Sequence, residues 1–169
     1  NTPLSTIAQQ LVAPRKGILA ADESTGTMTK RLAAINVEST LENRNKWREI
    51  MLTSVGVENY ISGVIMFDET LRTPNLGGMK LQDLFRSKGM HIGIKVDEGT
   101  VKLPGLAEEV FTQGLDKLGK RLLEYKELGA TFTKWRAVYS VDKNMPSEAV
   151  ITGNSIALAQ YASLVQEAG

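Results

Sequence analysis

The chain contains no cysteine and a single histidine, His91. The first absence excludes disulfides, thiolate metal sites and a cysteine nucleophile, and is compatible with a reducing compartment. The second leaves too few imidazole ligands for the common zinc and non-haem iron sites, so the reading includes no metal and no other cofactor. Long apolar runs are also missing. None approaches the ~20 residues that span a bilayer, and the opening "NTPLSTIAQQ" has no basic region followed by an apolar one, which reads as a soluble, untargeted, cytoplasmic protein with no membrane partner. No charge of one sign prevails: 20 Lys and Arg against 19 Asp and Glu give no overall attraction to nucleic acid, and any basic site must be local. Neither GxxxxGK[ST] nor a strand-borne GxGxxG occurs, so nucleotide binding lacks its usual signals.

What is present is an ordinary composition, 42% hydrophobic and 23% charged, on a chain long enough to bury one core. A single unit over residues 1–169 is expected. Leu4, Ile7, Ala8 and Leu11 follow helical spacing behind Thr2 and Pro3, which suit the cap and first helical position. "GILAAD" then reads as a buried strand, and Met28, Leu32 and Ile35 mark a helical face that ends near Asn36. "STLENRNKWREIMLTS" opens with Ser39 and Glu42 in capping-box spacing, with Trp47, Ile50, Met51 and Ser54 along one side. "YISGVIMFDET" is a second strand, "LRTPNLGG" a loop, Leu81, Leu84 and Phe85 a short helix, and "HIGIKVDEG" a third strand. Leu115, Leu118, Leu122 and Tyr125 predict a helix stopped by Gly129; "ATFTKWRAV" is a fourth strand, and Pro146 and Ser147 open a last helix with Leu158, Tyr161, Ala162 and Val165 on one face. Strands alternating with helices call for a parallel sheet with right-handed crossovers.

Charges at the strand ends choose between architectures. Lys95 and Asp97 are two apart and leave the same face of their strand, as do Lys134 and Arg136; Asp22, and Asp68 with Glu69, end two others. Under the helices of a doubly wound sheet such ions would be buried at a cost of several kcal/mol each, by order of magnitude. The mouth of a (β/α)8 barrel is solvated at the C-terminal strand ends and tolerates them. The alternative is a set of internal salt bridges without chemistry, with Asp68 and Glu69 as helix-cap or loop acids. His91 reads as a hydrogen-bonded surface or edge residue, and Trp47 and Trp135 as packing residues. Two lysines, an arginine and an aspartate near the hydroxyl-rich turn Ser24–Thr27 suit an anion bearing hydroxyl groups, a description that sugar phosphates meet.

The stretches "KGILAADESTG", "YISGVIMFDETL", "GIKVDEGTVKLPG", "TQGLDKL", "GATFTKWRAV" and "LAQYASLVQEAG" together resemble the class I fructose-1,6-bisphosphate aldolases, in order from about residue 5 to the end. The resemblance implies an α/β fold of the TIM (β/α)8-barrel family, of which this chain would cover about the first four βα units. It also implies reversible, metal-independent cleavage of fructose 1,6-bisphosphate to dihydroxyacetone phosphate and glyceraldehyde 3-phosphate through a lysine Schiff base, in glycolysis. Asp22 resembles the family's aspartate that assists proton transfer at the C4 hydroxyl, Lys95 the lysine that hydrogen-bonds substrate hydroxyls, Lys134 the lysine beside the Schiff base, and Arg136 the arginine near one phosphate. Ser24, Thr27, Lys30 and Arg31 fall where the family has phosphate-contacting groups, Thr27 standing where a serine is frequent. In the family the chain continues into strands bearing an essential glutamate and the Schiff-base lysine, and into a phosphate-binding arginine. These 169 residues contain none of those segments. The expected partners are therefore a sugar phosphate, the complementary half of the barrel and, by the family's habit, further copies in a tetramer. A phosphosugar-binding or scaffold half-barrel without catalysis is the alternative.

Overall fold

The computed structural model describes every residue except Asn1, Gly77 and Ala107. Helix α1 (Leu4–Leu11) leads into strand β1 (Gly17–Ala21), followed by α2 (Thr25–Ala33) and α3 (Leu41–Thr53). Strand β2 (Ile61–Met66) is followed by the short α4 (Asp68–Leu71), a hairpin of β3 (Asn75–Leu76) and β4 (Met79–Lys80), and α5 (Leu81–Lys88). Strand β5 (His91–Lys95) precedes a second hairpin, β6 (Thr100–Lys102) with β7 (Val110–Thr112); α6 (Leu118–Glu127), β8 (Ala130–Lys134) and α7 (Glu148–Ala168) complete the chain. The main sheet has the order β1-β2-β5-β8, so β1 and β8 are its outer strands, as the first and fourth strands of the sequence reading. β2 pairs in parallel with both β1 and β5. Among the described residues no helix is long and apolar enough to cross a membrane.

The chain packs as two compact units, residues 1–95 with 127–133, and residues 96–126 with 134–169. In the first, strand alternation separates two faces. Ala21, Val64, Met66, Ile92 and Ile94 are buried on one, each large side chain among them stabilising by about 1.5–3 kcal/mol relative to exposure. The register puts Ile18, Gly63 and His91 in one row of the other face, and Ala20, Ile65 and Gly93 in the next. Phe132 lies on this second face: a Cβ on Gly93 would come within 2.3 Å of its ring and one on Gly63 within 3.0 Å, so both positions require glycine. Ile18 remains 43% exposed there.

Several expectations shift. Pro3 is the cap of α1, with no side-chain bond, and not its first residue. In α2, Met28 and Leu32 are buried as expected, but the helix stops at Ala33 and Ile35 is exposed. The cap of α3 is Thr40, whose hydroxyl accepts from the Asn43 amide, and the side of α3 that is buried carries Arg48 and Leu52 rather than Trp47 and Ile50. Ser39 instead accepts from the Thr29 hydroxyl and from Arg44. The stretch read as the loop "LRTPNLGG" contributes β3, and Gly77 lies outside the described residues. β8 ends at Lys134, so Arg136 lies beyond the strand. α5 buries Leu81, Leu84 and Phe85, and α6 buries Leu118, Leu122 and Tyr125, as their spacing predicts, with Leu115 ahead of the helix. α7 is capped by Ser147 and buries Val150, Asn154 and Ala157, a stripe displaced toward its N-terminus from the expected one.

Candidate functional site

In the first unit, Asp22 and Lys95 fall at the C-terminal ends of their strands. Asp22 follows β1 directly and is buried. It stands two residues beyond Ala20, and Lys95 two beyond Gly93, so alternation assigns both to the face that carries Phe132. Glu23 turns its carboxylate toward two arginines: Oε1 accepts from Arg31 Nη1, and Oε2 lies 3.5 Å from Arg48 Nη2. Ser24 caps α2, its hydroxyl accepting from the Thr27 amide at 3.3 Å and lying 3.1 Å from the Thr27 hydroxyl. Thr27, Lys30 and Arg31 are exposed on α2. The first turn of this helix thus offers hydroxyls and amides, and its last turn carries the two cations Lys30 and Arg31.

Arg48 is the most buried charge of this region, 1% exposed. Its Nε donates to the Ala21 carbonyl at 3.3 Å and its Nη2 to the Glu23 carbonyl at 2.7 Å. Burial pushes its pKa below the usual arginine range, against which the charges of Glu23, Glu69 and Asp22 favour the guanidinium and Arg44 does not. At the end of β2 the acids serve the fold. Asp68 pairs with Arg72 at 2.9 Å, and Glu69 takes both Nε and Nη2 of Arg44 at 2.8 and 2.7 Å. That bidentate bond holds the Glu69 carboxyl below its ordinary range and raises Arg44. His91 bridges the Thr131 hydroxyl (3.0 Å) and Gln10 Oε1 (2.9 Å), hydrogen-bonded as expected although β5 is an inner strand and not an edge, and burial lowers its pKa.

In the second unit, Asp97 is buried and its Oδ1 lies 4.0 Å from Nη2 of the half-exposed Arg136. The same oxygen accepts from the Gly99 amide at 3.2 Å. Lys134 gives its carbonyl to the Val96 amide at 3.0 Å. Trp135 stacks on Tyr161 with ring centroids 5.2 Å apart, the packing role expected of it. Arg121 on α6 donates to the carbonyls of Val96 and Gly114. Glu23, Arg48 and Arg121 were not singled out from the sequence. Arg48 stands four residues before Leu52, a spacing that marks the buried stripe once a charge is allowed into it.

A parallel α/β sheet with an aspartate and a lysine, Asp22 and Lys95, at its strand ends, beside a hydroxyl-capped helix, belongs to the class in which ligands meet the carboxyl ends of strands. The family model for the class-I fructose-bisphosphate aldolases matches residues 3–169. Fructose-bisphosphate aldolase B of Gallus gallus is 49% identical over 167 residues, covering 98% of this chain and 46% of its own. The cytosolic fructose-bisphosphate aldolase 6 of Arabidopsis thaliana is 49% identical over 172 residues, covering 98% and 48%. Among solved structures, the fructose-bisphosphate aldolase of Plasmodium falciparum, crystallised with TRAP and a small-molecule inhibitor, superimposes with a TM-score of 0.93 at 44% identity, over 98% of this chain and 48% of that one. The chain belongs to the class I fructose-bisphosphate aldolase family, a family of lyases, and spans about half the length of the relatives it matches. The fold class read from the sequence, an α/β half of the barrel family, agrees.

Proposed function

We propose that this chain, read as one half-barrel domain over residues 1–169, supplies the phosphosugar-binding and proton-handling part of a Schiff-base fructose-bisphosphate aldolase site, and cleaves fructose 1,6-bisphosphate only when a complementary half provides the covalent lysine. Asp22 is the proton carrier at the C4 hydroxyl, Lys95 holds substrate hydroxyls, Lys134 assists carbinolamine chemistry, and Arg136 stands near one phosphate. Ser24, Thr27, Lys30 and Arg31 take the other phosphate. The observation that carries this reading is the buried Asp22, directly after β1 and two residues ahead of the Ser24 cap of α2, whose last turn bears Lys30 and Arg31, in a chain matched by the family from residue 3 to residue 169. Alternation supports the rest, since Lys134 follows Phe132 by two residues on β8 just as Lys95 follows Gly93 on β5.

Retro-aldol cleavage asks for an amine that forms an iminium, a base for the hydroxyl proton, and cations that hold the phosphates and let the amine stay unprotonated. The residues above supply the last two. The reaction needs no metal in this scheme, and the setting is cytoplasmic glycolysis in an oligomer that includes the complementary half. The test is to assay cleavage by the chain alone and after mixing with the second half of a relative's chain, then to trap dihydroxyacetone phosphate with borohydride and map the adduct. Turnover only in the mixture, with the adduct on the added half, is the expected result. An adduct on Lys134 overturns its assigned role. The second reading, a half-barrel that binds phosphosugars without cleaving them, is favoured by the half-length match alone. It predicts binding in both samples and turnover in neither.

A further inference from the structure

Arg48 and Arg121 solve the same local problem in the two units. Where a strand leaves its sheet, its last carbonyls lose their ladder partners and need other donors. At the end of β1 the two carbonyls bound by Arg48 belong to Ala21 and Glu23, the residues on either side of Asp22. Beyond β5, Arg121 gives Nη1 and Nη2 to the Val96 carbonyl at 3.1 and 3.2 Å and Nη2 to the Gly114 carbonyl at 2.6 Å, with Glu98 3.8 Å away. Val96 stands between Lys95 and Asp97. Its amide is also committed, to the Lys134 carbonyl. Gly114 fits this arrangement because a Cβ there would come 3.0 Å from both the Val96 carbonyl and the Glu98 amide.

A guanidinium is well shaped for holding two carbonyls at once, because its N–H groups form a rigid planar fork that spans two acceptors, whereas an ammonium is a point donor on a flexible stem. Each fork reaches the strand end from a helix, Arg48 from α3 and Arg121 from α6. Resting on the functional reading above, we propose that Arg48 and Arg121 are positioning residues: Arg48 clamps the carbonyls on either side of Asp22 in the first unit and Arg121 the Val96 carbonyl that precedes Asp97 in the second, fixing the aim of those two carboxylates. Misaim of a reacting group by an ångström can cost on the order of 100-fold in rate while leaving substrate affinity intact.

The test uses Arg48→Met, Arg48→Lys, Arg121→Met and Arg121→Lys, with the exposed Arg86→Gln as control. Hydrogen–deuterium exchange is read on the full chain alone, and kcat and KM on the chain mixed with the complementary half. Each Met variant is expected to speed exchange at least ~10-fold at residues 22–24 or 96–98, respectively, with Val64 and Ile94 within ~2-fold, and to lower kcat ~30- to 100-fold with KM within ~3-fold, the scale of small misplacements. The Lys variants keep the fold and recover less than about a tenth of the lost kcat, because one ammonium does not replace the fork. Arg86→Gln behaves as the parent. Parental exchange and kcat in both Lys variants overturn the proposal, as does a loss confined to KM. Should a Met variant fail to fold, the Lys variant decides. If the mixed parent does not cleave, the functional reading fails while exchange still judges the clamps: local acceleration upholds them and its absence overturns them.

Discussion

Strands β1 and β2 both run from an apolar stretch straight into acids, yet the two ends have different fates. After β1 Asp22 is buried and the carbonyls beside it are held by Arg48. After β2, Asp68 and Glu69 open α4, and each is paired with an arginine, Asp68 with Arg72 and Glu69 with Arg44. Asp68 and Arg72 are each more than 40% exposed, an i,i+4 pair worth only about 0.3–0.5 kcal/mol. The same sequence pattern thus yields a buried aspartate at one strand end and a helix start at the other. Burial and the identity of the neighbouring donor make the difference.

The largest expected effect breaks the comparison directly. In the chain mixed with its complementary half, Asp22→Asn lowers the cleavage rate by about 100-fold or more, the usual scale for a lost proton carrier, while Asp68→Asn stays within about 2-fold. Equal losses would erase the distinction. Gly93→Ala comes next: the new methyl meets the Phe132 ring and overpacks the face that leads to Lys95, costing about 2–3 kcal/mol in urea unfolding. Arg44→Met sharpens the β2 side. It leaves the Glu69 carboxylate without its bidentate donor and costs about 2 kcal/mol at pH 7. Because that donor depresses Glu69 in the folded state, the contribution is complete above the unfolded carboxyl value of about 4.3 and is lost as pH falls through the folded one. Parent and variant stabilities should converge there. The smallest effect lies at the opposite end of β5. Burial lowers His91 in the folded state, so its neutral form favours folding above about pH 6.5 and the benefit fades as pH falls through the folded value. The Tm of the parent should drop more steeply than that of His91→Gln across that window.

Much of this was legible in the sequence because burial leaves a periodic trace. All four strands of the main sheet fall inside the apolar stretches expected to form them, and the spacing of Leu81, Leu84 and Phe85 and of Leu118, Leu122 and Tyr125 marks faces that are indeed buried. Periodicity failed where a polar side chain took a buried place or a cap moved by one residue. Counting only apolar positions in α3 favoured Ile50, which is 63% exposed, over Arg48, whose charge is stabilised by carbonyls 27 and 25 residues away in sequence. Such long-range acceptors leave no spacing signal. Ser39 and Thr40 are equally good caps, and the choice between them is made by Thr29 and Arg44, which bind Ser39 from elsewhere. The hairpins β3–β4 and β6–β7 are two and three residues per strand, too short for alternation to register against Pro and Gly content. Of the proposed site residues, Asp22, Lys95, Lys134 and Arg136 were visible as charges at the ends of apolar stretches, whereas the roles of Ser24, Thr27, Lys30 and Arg31 rested on the family resemblance; the arginines that hold the strand ends were not visible at all.

The stacking of Trp135 on Tyr161 gives the second unit a built-in optical reporter. Phenol and indole at that separation exchange excitation readily, and the indole belongs to the residue flanked in sequence by Lys134 and Arg136. If a sugar phosphate binds those cations as proposed, the Trp135 emission is expected to shift on its addition. Trp47, placed in the other unit, supplies the internal reference.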